Sequence, residues 1–175
     1  MTTTISYRNM KTKVLRALAI FGILVVNIGC DQISKSIVRQ QVDYHEQIAL
    51  VNNYLTITKV ENSGAFLSLG DSLPGPLRFA LLSLLPLVVL GFGLGFLFTK
   101  TNLSNVTLFG FAFVIGGGIG NIYDRLVYGS VTDFLHIDFG IFQTGIFNMA
   151  DVSIFTGMFI VLANSIAKRT SLNRR

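Results

Sequence analysis

The chain has 175 residues, 51% hydrophobic and only 13% charged, with 14 basic and 9 acidic residues for a formal net charge of +5; its mean hydropathy is +0.60. A soluble domain would carry about twice that charged fraction, which excludes an ordinary water-soluble fold. The single cysteine excludes an internal disulfide and any multi-cysteine metal site.

The pattern predicts an all-α integral membrane protein, one polytopic domain over residues 1–175. Its four transmembrane helices fall at about 14–30, 79–98, 106–123 and 148–167, against the ~20 apolar residues that cross a bilayer. No repeat, low-complexity segment or linker divides it.

The first span follows Arg8, Lys11, Lys13 and Arg16 and ends in VNIGC at Cys30. A Cys after a small residue resembles a lipoprotein cleavage signal. Asn27 stands where such signals usually carry Leu, however, and three more spans follow, so the segment is expected to be kept as a helix with Cys30 buried. CDQISK comes next, placing Asp31 and Lys35 four apart on one helical face.

YLTITKVENSGAFLSL, residues 54–69, is rich in β-branched residues and predicts one or two strands at the membrane surface between helices 1 and 2. DSLPGP is the turn that delivers the second span. Gly91 and Gly95 in that span, and Gly116 and Gly120 in the third, have the spacing of close helix contacts in lipid.

The third span ends in GGGIGNIYDR, with Asn121, Asp124 and Arg125 on one face. The next segment mixes aromatics, glycines and acids, suits an interfacial position and carries Asp133 in VTDF. GIFNMADVSIF then opens the last span with Asn148 and Asp151. One such residue would cap a helix; the other calls for a partner elsewhere.

Charge placement predicts orientation. Lys100, between spans 2 and 3, and Lys168, Arg169, Arg174 and Arg175 at the end join the first four cations, and no acid shares these places. The positive-inside rule puts both termini in the cytoplasm and residues 31–78 and 124–147 outside. The +5 is thus a topology signal, and no nucleic-acid partner is expected.

Ionisable groups at membrane depth are expensive and point to function. Asp31–Lys35 and Asp124–Arg125 also fit a structural polar belt, whereas Asp133 and Asp151 lack a basic neighbour in sequence. Asp43, Glu46, Asp71 and Asp138 read as solvated charges. His45 and His136 read as surface residues without metal-ligand spacing, and no phosphate-binding loop or nucleophile elbow occurs. Two readings fit paired carboxylates at helix ends. One is acid/base hydrolysis; the alternative is a small ion- or proton-coupled membrane transporter using Asp133 and Asp151. Position favours hydrolysis, and spacing leaves Asp124 in contention.

The series CDQISK, ENSGAF, GGGIGNIYDR, GSVTDF and FNMAD, in that order, resembles the bacterial lipoprotein signal peptidases (signal peptidase II). The resemblance implies an aspartic endopeptidase of the bacterial inner membrane, with its site near the outer face and neither metal nor cofactor. Its partners would be membrane lipid and diacylglyceryl-modified prolipoproteins, cut before the lipidated Cys. Asp133 and Asp151 would be catalytic. Asp31, Lys35, Asn62, Gly64, Gly117, Asn121, Asp124, Arg125, Asn148 and Ala150 fall on motif positions that shape the site. Asn62 and Asn148 are candidate donors to substrate carbonyls, and Arg125 a candidate brace for loop backbone. ENSGAF departs from the family in having a single Ala after Gly64, where two small residues are frequent.

Overall fold

A lipid-facing segment must satisfy its own backbone polar groups, so the apolar runs become helices. The structure, a computed structural model, describes residues 2–51, 54–65 and 68–172, with side chains from residue 12 to 171. The side chains of Arg8 and Lys11, residues Phe66 and Leu67 of the ENSGAF loop, and Arg174 and Arg175 lie outside it. Among the described residues, four helices are long and apolar enough to cross a membrane: Thr12–Gln41, Gly75–Thr99, Asn105–Val127 and Met149–Ser171.

Helix α1 (Thr2–Gln41) runs well beyond Cys30, where the apolar run ends. Asp31, Lys35 and Arg39 recur every four residues on its inner side, while Ile33 and Ile37 are 64% and 55% exposed on its outer side. Buried ion pairing thus extends the helix where hydropathy alone stops it. Cys30 corrects an expectation: it is exposed, because its neighbours Asn27 and Asp31 occupy the inward face.

The second span joins α2 (Gly75–Phe79), a π-helical turn (Ala80–Leu84) and α3 (Leu85–Thr99). Pro86 has no N–H to offer Leu82, and the Leu85 N–H donates instead to the Ala80 carbonyl five residues back. Helix α4 (Asn105–Val127) starts at Ser104, whose side chain accepts from the Thr107 N–H, and is the most buried of the four spans. It crosses α5 (Met149–Leu172) where Gly110 and Gly157 meet without side chains between them. Gly116 lies against Asn27, so that a Cβ there would come within 2.9 Å of the Asn27 Cβ. Gly91 and Gly95 face open space instead of a helix.

Strands β1 (Ile48–Val51), β2 (Leu55–Asn62) and β3 (Val131–Ile137) form one antiparallel sheet in that order. Strand β2 lies within residues 54–69, where strands were expected, and β1 precedes that stretch. The third, in the second loop, was not foreseen from the sequence, and it carries Asp133. It also moves His136 from the surface to a half-buried position opposite Thr56. Register matters here: Val60 stands opposite Asp133 and Asn62 opposite Val131, which makes Asn62 the diagonal neighbour of Asp133. Phe134, on the other side of β3, packs on Val38 and Val42 at the end of α1 and fixes the sheet to the helices.

Candidate active site

Asn148 and Asp151 make a reciprocal cap at the start of α5. The Asp151 N–H donates to Asn148 Oδ1 at 3.0 Å, and Asp151 Oδ2 accepts from the Asn148 N–H at 3.2 Å. This is the capping-box geometry with Asp in place of Glu. It satisfies the helix start and also fixes the carboxylate, whose second oxygen accepts from Asn121 Nδ2 at 2.9 Å. Capping and site building are one arrangement.

Asp133 reaches the same place from β3. Its Oδ1 accepts from Asn148 Nδ2 at 2.6 Å and its Oδ2 from Asn62 Nδ2 at 3.0 Å. Asn62 and Asn148, candidate donors to substrate, are engaged with Asp133 in this state. Both carboxylates therefore rest on amide N–H groups, and neither has an ion-pair partner among the described residues. Burial pushes the Asp133 carboxyl up to about 6. The Asn62 bond opposes that rise, the charge of Asp151 adds to it, and the Asn148 bond and Lys35 charge again oppose it.

Behind the pair lies an ionic layer in which Asp31, Lys35 and Asp124 are fully buried. Lys35 Nζ spends its three N–H groups on Asp31 Oδ2 (2.9 Å), Asp124 Oδ2 (3.0 Å) and Asn121 Oδ1 (2.9 Å). Gln32 Nε2 bridges the two acids at 3.0 Å each, and Arg39 adds an ion pair to Asp124 at 3.0 Å. Asp124 thus pairs with α1 and not with its neighbour Arg125. Lys35 orients Asn121, which holds Asp151 and also accepts from Asn148 Nδ2 at 3.2 Å. Asp31 Oδ1 accepts from the Ala150 N–H at 2.9 Å, tying α1 to the start of α5.

The small residues have steric reasons. A Cβ on Gly117 would strike the Ala150 carbonyl, and one on Gly64 would lie 2.5 Å from the Ser68 carbonyl carbon. Ala150 is fully buried against α4. Arg125 Nη2 donates to the Gly64 carbonyl at 2.8 Å and braces that loop. Every residue singled out from the motifs therefore sits in one assembly. Sequence reasoning missed Gln32, Arg39 and Thr132. Arg39 continues the four-residue spacing of Asp31 and Lys35, a signal that was available. Thr132, which accepts from Arg39 Nε at 2.8 Å, depends on the β3 register and had none.

Asp133 and Asp151 line one cavity of about 120 Å³ with Asn62, Asn121, Arg125 and Asn148. An apolar groove of about 510 Å³, walled by Phe142, Val152 and Phe155, adjoins it through the shared residues Ile146 and Phe147. Fold and site together define a polytopic helical membrane protein that holds two carboxylates on amides beside an apolar groove.

Residues 23–167 match the family model for signal peptidase (SPase) II. The chain belongs to the signal peptidase II family, and with its four apolar helices it is a multi-pass bacterial membrane protein. A lipoprotein signal peptidase of Wigglesworthia glossinidia brevipalpis is 35% identical over 136 residues, 70% of this chain and 86% of its own length. One from Streptococcus pneumoniae is 34% identical over 80% of this chain and 87% of its own, and one from Anaplasma phagocytophilum 31% over 89% and 97%. The fold is shared with a bacterial membrane enzyme solved by the in meso method at 2.3 Å resolution. That similarity has a TM-score of 0.77 at 23% identity, covering 90% of this chain and 92% of that one.

Proposed function

We propose that this protein is an aspartic endopeptidase that removes the signal peptide from diacylglyceryl-modified prolipoproteins, cutting just before the lipidated Cys. The observation that carries this reading is the pair Asp133 and Asp151, held by amides in one cavity, with no ion pair to either among the described residues. The family and the names of the relatives supply the substrate class.

At about 30 Å³ per water, the cavity has room for a water and part of a peptide unit. Asp133, whose burial favours the protonated form, is the acid; Asp151 is the base. Asp151 takes a proton from water, the hydroxide oxygen bonds to the carbonyl carbon preceding the Cys, and Asp133 gives its proton to the carbonyl oxygen. In the collapse Asp133 recovers a proton from the gem-diol, the C–N bond breaks and the leaving amine takes the proton held by Asp151. The adjoining apolar groove suits acyl chains or the apolar helix of a signal peptide. No metal and no cofactor enters this scheme.

Both tails and the Lys100 loop are assigned to the cytoplasm and the carboxylates to the outer edge of the inner membrane, on the charge asymmetry. Labelling of a Cys placed at Thr101 by an impermeant reagent in intact cells would reverse that assignment. The transport alternative has no specific observation in its favour. The direct test offers a diacylglyceryl-modified precursor and its unmodified twin to the purified protein. Cleavage of the modified form alone is expected. Cleavage of neither defeats the peptidase reading, and equal cleavage of both defeats recognition of the lipid.

A further inference from the structure

A second cavity lies at the other end of the bundle. Arg16 precedes Asp31 by 15 helical positions in α1, a separation of about 22 Å along the axis. The cavity, about 630 Å³, opens between the start of α1 and the turn joining α3 to α4. Lys13 and Arg16 supply its charge; Leu15, Ala19, Leu108 and Phe109 supply an apolar wall. Leu15 is 67% and Phe109 43% exposed.

The two cations here contact no carboxylate among the described residues. Arg16 Nη1 donates to the Thr101 carbonyl at 3.3 Å, and Nη2 to the carbonyls of Leu97, at 3.2 Å, and Lys100. The guanidinium thus closes the C-terminus of α3 and is held still, while its Nε is buried without a partner. Neither Lys13 nor Arg16 has an ion pair among the described residues. Fixed positive charge above an exposed apolar wall at a helix end matches one kind of molecule, with a phosphate head and acyl tails.

We propose that this cleft binds an anionic phospholipid, its headgroup phosphate on Lys13 and Arg16 and an acyl chain along Leu15, Ala19 and Phe109. Basic pockets between helices at the cytoplasmic interface take such headgroups. The bound lipid would bridge α1 to the α3–α4 turn, at a distance from the carboxylates.

The test titrates the purified protein with dioleoyl phosphatidylglycerol, dioleoyl phosphatidylcholine and inorganic phosphate, reading bound lipid by native mass spectrometry. Phosphatidylglycerol should bind at least tenfold more tightly than phosphatidylcholine. Lys13→Glu should remove that preference while leaving precursor cleavage unchanged. Should Lys13→Glu fail to fold, rising salt applied to the unaltered protein decides the point, since charge-selective binding weakens with salt. Equal affinity for the two lipids, a preference untouched by Lys13→Glu or by salt, or full competition by millimolar inorganic phosphate would each overturn the proposal.

Discussion

Asn148 Nδ2 donates to Asp133 Oδ1 at 2.6 Å while the same side chain caps the helix that carries Asp151. One neutral residue thereby sets the position of both carboxylates. Asn148→Ala should cost about 1 kcal/mol as a lost cap and lower the cleavage rate about 10- to 100-fold. Its distinctive effect is on pH. Losing a donor to the ionised form raises the Asp133 pKa, so the limb on which activity falls as Asp133 loses its proton should move to higher pH. A lower rate with an unmoved profile would leave Asn148 a purely structural role.

The raised pKa of Asp133 has a consequence for stability. In the folded protein it lies near 6, above the ordinary 3.8, so the folded state binds more protons between those values. Stability from this group is full below pH 4 and is lost as pH rises through about 6. Melting temperature against pH should therefore fall more steeply across that window in the unaltered protein than in Asp133→Asn. Asn at this position also sets an NH2 against Asn62 or Asn148, both of which donate here. A net gain in stability is accordingly not expected at pH 4. Parallel curves would contradict the buried-carboxyl assignment.

Lys35 is fully buried and serves two acids and Asn121. Lys35→Met leaves Asp31 and Asp124 with fewer cations in a dry layer, a loss of about 3–5 kcal/mol for breaking a buried pair. Yield of folded protein and melting temperature should both drop sharply. Normal stability with only the rate reduced would show that the layer tunes chemistry without supporting the fold.

Glycine substitutions should separate by contact. Gly117→Ala drives a methyl into the Ala150 carbonyl and displaces the start of α5; Gly64→Ala strikes the Ser68 backbone. Each should abolish most cleavage. Gly91→Ala meets nothing within 4 Å and should match the unaltered protein in melting temperature and rate. Loss of activity in Gly91→Ala would reveal a contact absent from the single chain.

The spans were legible because lipid leaves the backbone one solution, and Asp31, Asn121, Asp133, Asn148 and Asp151 were legible as polar residues placed where polarity is costly. The continuation of α1 past Lys35 to Gln41 was hidden because its support is ionic. The inward residues Asp31, Lys35 and Arg39 lower the apparent hydropathy of a helix they stabilise. Strand β3 was hidden for a different reason: Val131, Thr132, Asp133 and Phe134 are all buried, so no polar face alternates with an apolar one. The division of Asp124 from Arg125 could not be read from spacing, since their partners Lys35, Arg39 and Gly64 come from distant segments.

Asp133 and Asp151, and not Asp124, are proposed to exchange protons with substrate. The decisive measurement is the rate of gel-shift cleavage of diacylglyceryl-modified precursor, per folded molecule, for Asp133→Asn, Asp151→Asn and Asp124→Asn. General acid–base catalysis contributes about 10²–10⁴-fold, so the first two should fall to background. Asp124, fully buried and paired with Lys35 and Arg39, should cost folded yield on substitution while the surviving protein still cuts. A substantial rate in Asp133→Asn, with none in folded Asp124→Asn, would contradict the assignment.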